Sequence, residues 1–227
     1  NPQYWKDDTD EGGKNMFEEE LLLSQLDRLH IKGKFSYKKI TQLKAAKLLA
    51  EQMQNHKEDT LLTIVYNFVD MISHAKSEME IIKELASDDK GYRSLTDSWF
   101  KNAPLLDIIQ AAQKLGFNLI VTTDHGTINV KNPVEVVGDK ESSQNLRYKT
   151  GRSLKYPAKK VMEARDPESY KLPRLGLNST FIFAKEANYF VYPKNYHHYA
   201  TLFQNTYQHG GISLEEILIP FVFLTPK

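Results

Sequence analysis

Two short runs, the one that opens "DTLLTIVYNFVDMISHAK" and changes character near Val69, and "LIVTT" at 119–123, constrain the fold more than any other feature of the chain. Both are apolar, rich in β-branched residues and too short to be helices. Stretches with apolar residues at helical spacing lead into each. "MFEEELLLSQLDRLHI" and "TQLKAAKLLAEQMQNH" precede the first, and "SEMEIIKELA", "SLTDSWFKN" and "APLLDIIQAAQKLG" precede the second. A strand that is apolar throughout has to be covered on both faces, and helices are what this chain offers to cover it. The expected fold class is therefore α/β, with a mostly parallel sheet flanked by helices. Gly116 stands where the last of these helices should stop.

Beyond residue 175, "STFIFAKEANYFVYP" reads as two short strands, "NYHHYATLFQNTY" as a helix and "ILIPFVFL" as a final strand. The stretch 131–175 mixes charge, proline and glycine, and is expected to be an irregular insertion or substrate loop. The opening "NPQYWKDDTDEGGKN" reads as a polar loop. With 227 residues the chain has room for one large or two small domains.

Thirty Lys and Arg against 29 Asp and Glu give no net field that would announce a nucleic-acid or membrane partner. There is no cysteine, so disulfides are excluded and any metal must be held by oxygen and imidazole. No apolar run reaches the roughly 20 residues that span a bilayer, and no signal-peptide pattern is present, so no membrane insertion and a cytoplasmic setting are expected. The chain opens on Asn1-Pro2 rather than Met, which suggests part of a longer polypeptide.

Three short motifs carry candidate chemistry. In "NFVDMISHAK", Asp70 and His74 are four apart just past the first strand; on a helical turn they would share a face and could meet one cation. The alternative is a capped helix start beside an exposed histidine. In "TTDHG", Asp124 and His125 fall at the carboxyl end of the second strand, where α/β proteins place ligands. Gly126 would permit a tight turn there. The alternative is a solvated strand end. In "YQHGGISLEEILIP", His209 precedes a Gly-Gly pair suited to close backbone approach, and Ser213-x-x-Glu216 is a capping-box signature. A structural histidine in a turn is the competing reading.

Taken together and in this order, the three motifs resemble the alkaline phosphatase superfamily. "TTDHG" and "HGGISLEEILIP" are similar to its PglZ branch, as in the PglZ domain of PorX-type response regulators of type IX secretion. The resemblance implies a PglZ/alkaline phosphatase-like domain over 1–227, here its C-terminal portion and lacking the N-terminal part of the fold. It implies two divalent metal ions, zinc foremost, with manganese or magnesium open for want of thiolates. Asp70, His74 and His209 would hold one ion, and Asp124 and His125 the other. It also implies an early Asp and a Thr or Ser nucleophile, both expected upstream of Asn1. "DDTD" at 7–10 offers Thr9, but no apolar strand precedes it, its acidic neighbours would repel a phosphate, and it reads as a solvated loop.

"NLRYKTGRSLKY" interleaves Arg147, Lys149, Arg152 and Lys155 with Tyr148 and Tyr156. It could grip phosphate oxygens and stack a base, or be a solvated basic loop. On the first reading the substrate is a phosphodiester with a nucleotide-like or oligonucleotide-like group. The leading functional expectation is a metal-dependent phosphodiesterase acting as the output domain of a two-component response regulator. The alternative is a non-catalytic metal-binding interaction module that passes a phosphorylation signal to partner proteins. Helices 17–30 and 43–55, rich in charge and leucine, would suit such partners or a homodimer. His197 and His198 are expected at a helix start or on the surface, His30 and His56 at helix ends, and Trp5 and Trp99 in packing.

Overall fold

The computed structural model describes Tyr4 and residues 16–68, 84–85, 88–138, 145–174, 176 and 179–226. The chain divides into two units, residues 1–120 with 222–227 and residues 121–221.

The first unit begins with α1 (Glu18–Arg28), whose first turn carries three glutamates and whose last turn carries Arg28, both favourable to the helix dipole. β1 (Phe35–Ile40) and β2 (Leu61–Tyr66) then pair in parallel, Phe35 opposite Leu61 and Ile40 opposite Tyr66. Parallel strands need a crossover, and α2 (Leu43–Gln52) supplies it. Its buried face, Ala46 and Leu49, continues into Met53 and packs with Ile40. α3 (Asp89–Asn102) starts at Asp88, whose carboxylate accepts from Gly91 N at 2.7 Å. α4 (Pro104–Lys114) opens on a proline and adds Ile108 and Ala112 to the same core. It ends before Gly116, which takes a φ of +81°. Trp99 of α3 packs as expected, stacked on Phe68 at 3.8 Å and edge-on to Tyr66 at 5.3 Å.

β1 has no counterpart in the sequence reading. Lys38 and Lys39 interrupt its apolar pattern, and pairing to β2 makes it a strand. The two strands are also tied together at their start. The buried Asp59 takes Lys34 Nζ and His56 Nδ1, each at 2.6 Å.

β3 (Leu119–Thr122) and β11 (Phe221–Leu224) are hydrogen-bonded neighbours, and within each the chain passes between the units.

The second unit is built mainly from β5 (Asn132–Glu135), β6 (Tyr148–Gly151), β7 (Val161–Ala164), β8 (Thr180–Ala184) and β9 (Asn188–Val191). β6, β8 and β7 form an antiparallel sheet in that order, and β5 pairs with β9 in parallel. β9 is buried at all four positions. Its alternating side chains serve two clusters: Phe190 packs with Val134, Val136, Val161 and Ile182, while Tyr189 and Val191 pack with Ile128 and Val130.

Two expectations change here. The stretch 131–175 is not irregular, because three strands lie in it and pair with β8 and β9. Its prolines and glycines punctuate short strands rather than dissolve them. The described strands form small sheets, with β1–β2 and β5–β9 parallel and β6–β8, β7–β8 and the pair β4 (Ile128–Asn129) and β10 (Tyr207–Gln208) antiparallel, rather than one mostly parallel sheet. Among the described residues, no helix is long and apolar enough to cross a membrane.

Candidate metal centre

β4 (Ile128–Asn129) and β10 (Tyr207–Gln208) pair antiparallel, Gln208 opposite Ile128 and Tyr207 opposite Asn129. In such a ladder the residues just before one strand lie beside those just after the other. The segment before β4 carries Asp124 and His125, and the segment after β10 carries His209. The pairing brings the two imidazoles face to face, with centroids 3.9 Å apart and planes 11° from parallel. Asp124 is exposed, and its Oδ1 lies 3.8 Å from His125 Nε2.

The other nitrogen of His125 decides what that edge can do. Nδ1 lies 3.1 Å from the Gly126 carbonyl, which can only accept, so the proton belongs on Nδ1. Nε2 is left with its lone pair toward the Asp124 side. Donor atoms sharing a tetrahedral ion with bonds near 2.1 Å stand roughly 3.4 Å apart, so 3.8 Å is close to a shared-ligand separation. A carboxylate and imidazoles also suit a divalent ion such as zinc or manganese. On donor chemistry and spacing these side chains fit a share of a metal site. They do not complete one: among the described residues, no group of three or more His, Asp or Glu is arranged to hold an ion. Asp70, His74 and the "DDTD" stretch lie outside the described residues.

The two loops are held from behind by Glu216. α6 (Leu214–Ile217) carries it, and it is buried. Its carboxylate takes a two-pronged bond from Arg147, Nε to Oε1 at 2.9 Å and Nη2 to Oε2 at 2.8 Å. It also accepts Gly211 N at 2.8 Å and Ser213 N at 3.0 Å, the second being the reach-back that the capping signature predicts. Its backbone carbonyl takes Gly126 N at 2.8 Å. Burial opposes ionisation of Glu216, but the Arg147 guanidinium and the Ser213 bonds outweigh it and hold the carboxyl below its usual range.

The glycines here serve approach more than turning. A side chain on Gly126 would begin 2.0 Å from the Glu215 carbonyl oxygen, and one on Gly211 would begin 2.6 Å from the Glu216 carboxylate. Only Gly210, with φ +99°, sits in the left-handed region.

The basic segment departs from expectation at its first half. Arg147, expected to grip substrate, is wholly buried and committed to Glu216 and the Asn188 carbonyl. A guanidinium so engaged has no free fork for phosphate, so that assignment is corrected. Lys149 is also buried, with its ammonium 4.5 Å over the Tyr192 ring, and desolvation lowers its pKa to about 8. Arg152 and Lys155 are exposed. Lys155 and Tyr156 line an open groove of about 440 Å³ with Glu135 and Lys160. Tyr148 packs beside Phe181 and Phe183, and Tyr156 donates to Glu163. His197 and His198 are exposed in α5 (Tyr196–Phe203), as expected.

Glu216 was visible only as a helix cap, and Arg147 only as a surface cation. A basic residue flanked by Leu146 and Tyr148 could have suggested burial, but its partner lies far along the chain.

The family model for the BREX system PglZ alkaline phosphatase-like domain matches residues 1–224. No curated protein matches the chain.

Proposed function

The chain belongs to the PglZ alkaline phosphatase-like family, and on that footing we propose that it is a divalent-metal-dependent phosphoesterase with Asp124, His125 and His209 among its metal ligands. The observation that carries the reading is the face-to-face His125–His209 pair with Asp124 beside it, drawn from two chain segments by the β4–β10 ladder. Asp70 and His74 join the proposed ligands on the sequence pattern alone.

Divalent ions at such a site supply charge for phosphoryl oxygens and acidify a hydroxyl or water. The chain's own residues set the conditions. Gly126 holds the His125 tautomer that presents Nε2, and the exposure of Asp124 leaves the site open to a substrate from solvent. Zinc is the first candidate. A phosphodiester is the proposed substrate class, with Arg152 and Lys155 as the exposed cations able to meet it. Service as the output domain of a response regulator rests on the PglZ resemblance and belongs to the same proposal.

The test is titration of the metal-free protein with Zn²⁺ and Mn²⁺, followed by hydrolysis of bis(p-nitrophenyl) phosphate and p-nitrophenyl phosphate by the full-length protein, since residues 1–227 are not expected to include the nucleophile. The expected result is metal binding that weakens in Asp124→Asn and His209→Ala, with the diester favoured. Binding that is unchanged in both variants would overturn the ligand assignment. Metal binding without turnover of either ester would favour the interaction module.

A further inference from the structure

We propose that Arg147 and Glu216 are positioning residues for the metal centre: a buried ion pair that sets the His125 and His209 rings against each other before any metal arrives. This rests on the metal-site reading and extends it to residues that touch neither metal nor substrate.

Glu216 reaches both ligand loops with different parts of itself. Its carbonyl holds Gly126, the residue after His125, and its carboxylate holds Gly211, two after His209. Arg147 fills the remaining acceptor positions in a planar fork that only a guanidinium provides. Arg147 is itself anchored on the Asn188 carbonyl in β9, and its backbone N–H is held by Asn145 Oδ1 at 2.7 Å. Both ligand loops are thus referred to β9 through one residue, the His125 loop through the Glu216 carbonyl and the His209 loop through its carboxylate. The glycines are part of the device, since a side chain at 126 or 211 would occupy the space of the Glu215 carbonyl or the Glu216 carboxylate.

A buried ion pair alone is weak grounds for function, because a hydrophobic pair often does as well for stability. What separates this pair from a stability element is its second set of bonds. Two backbone N–H groups of the His209 loop point at the same carboxylate, and a hydrophobic replacement would leave them without an acceptor.

The experiment compares the parent protein with Glu216→Gln, Arg147→Lys and the core control Val161→Ala. Val161 is buried in β7 and is not among the residues that hold either loop. In the metal-free proteins, imidazole NMR signals read the stacking directly, with exposed His197 and His198 as internal references. Glu216→Gln should move the His125 and His209 ring signals toward the references, while Val161→Ala leaves them in place. Zn²⁺ affinity should fall about 10- to 100-fold in Glu216→Gln, less in Arg147→Lys, and not in Val161→Ala. If Glu216→Gln does not fold, Arg147→Lys is judged by the same criteria, since it keeps the charge and loses the fork. Unmoved ring signals in the folded variants, or equal loss of affinity in the core control, would overturn the proposal. A parent that stacks its histidines yet binds no metal would sink the metal reading instead, and the positioning role with it.

Discussion

His125 and His209 share a parallel, stacked contact at 3.9 Å although one follows β3 and the other follows β10. His125 thus has two neighbours from the candidate set, the His209 ring stacked on it and Asp124 Oδ1 3.8 Å from its Nε2. On the proposed ligand assignment, His209→Ala and Asp124→Asn should each weaken Zn²⁺ binding by on the order of 100-fold, since the first removes an imidazole donor and the second the charge of a carboxylate. Calorimetric titration at fixed pH is the check, and far-UV circular dichroism should be unchanged because both side chains lie outside the core.

Gly126→Ala should be more damaging than its one added carbon suggests. The methyl would start 2.0 Å from the Glu215 carbonyl oxygen, where backbone rather than a flexible side chain must give way. A loss of about 2–4 kcal/mol is expected from overpacking and the displaced Gly126–Glu216 hydrogen bond, read as a lower urea midpoint. Gly116→Ala, with open space around it, should cost less and only through its positive φ.

Breaking the Arg147–Glu216 pair from one side leaves the other charge buried. Arg147→Met alone is expected to destabilise by about 3–5 kcal/mol, and Arg147→Met with Glu216→Leu should recover part of that loss. Full recovery in the double variant would mean that the bonds from Gly211 and Ser213 contribute nothing.

Acid stability of the first unit should carry a signature of Asp59. Burial raises its pKa, but bonds from Lys34, Ser36 and His56 prevail and hold it at about 2. The folded pKa lies below the unfolded one, so the stabilisation is whole above about pH 4 and drains away as pH falls toward 2. Denaturant unfolding of Asp59→Asn should therefore be flatter than the parent across that window.

Lys149 adds a second rise of stability with pH, on the alkaline side. Desolvation lowers its pKa to about 8 from an ordinary 10.5, so the folded protein carries an unfavourable charge at neutral pH and sheds it as pH rises. Parent stability from this group grows between about pH 8 and 10.5. Lys149→Met should compare better with the parent at pH 7 than at pH 9.5, by roughly 1–2 kcal/mol in unfolding free energy.

The parts of this molecule that can be read from sequence are those governed by local periodicity. α1, α2, α4, β2, β3, β8 and β9 follow from spacing and β-branched content, and the capping signature at Ser213 locates the start of α6. β1 and the strands within 131–175 could not be read this way, because pairing partners far along the chain decide them. The same limit applies at the candidate site. Asp124, His125 and His209 are recognisable as residue types with donor atoms, but the Arg147–Glu216 contact is long-range. Nothing local distinguishes a guanidinium that will be buried from one that faces solvent.

β9 belongs to both clusters of the second unit at once, with Phe190 on one side and Tyr189 and Val191 on the other. Neither cluster can loosen without disturbing the strand the other depends on, so this unit should open all together rather than by fraying. In amide hydrogen exchange, the protons of Phe190 and its neighbours in β9 should be among the last to exchange, at the rate of global unfolding. Arg147 is anchored to the same strand at Asn188, so the His125 and His209 loops should inherit that slow clock despite lying at the surface.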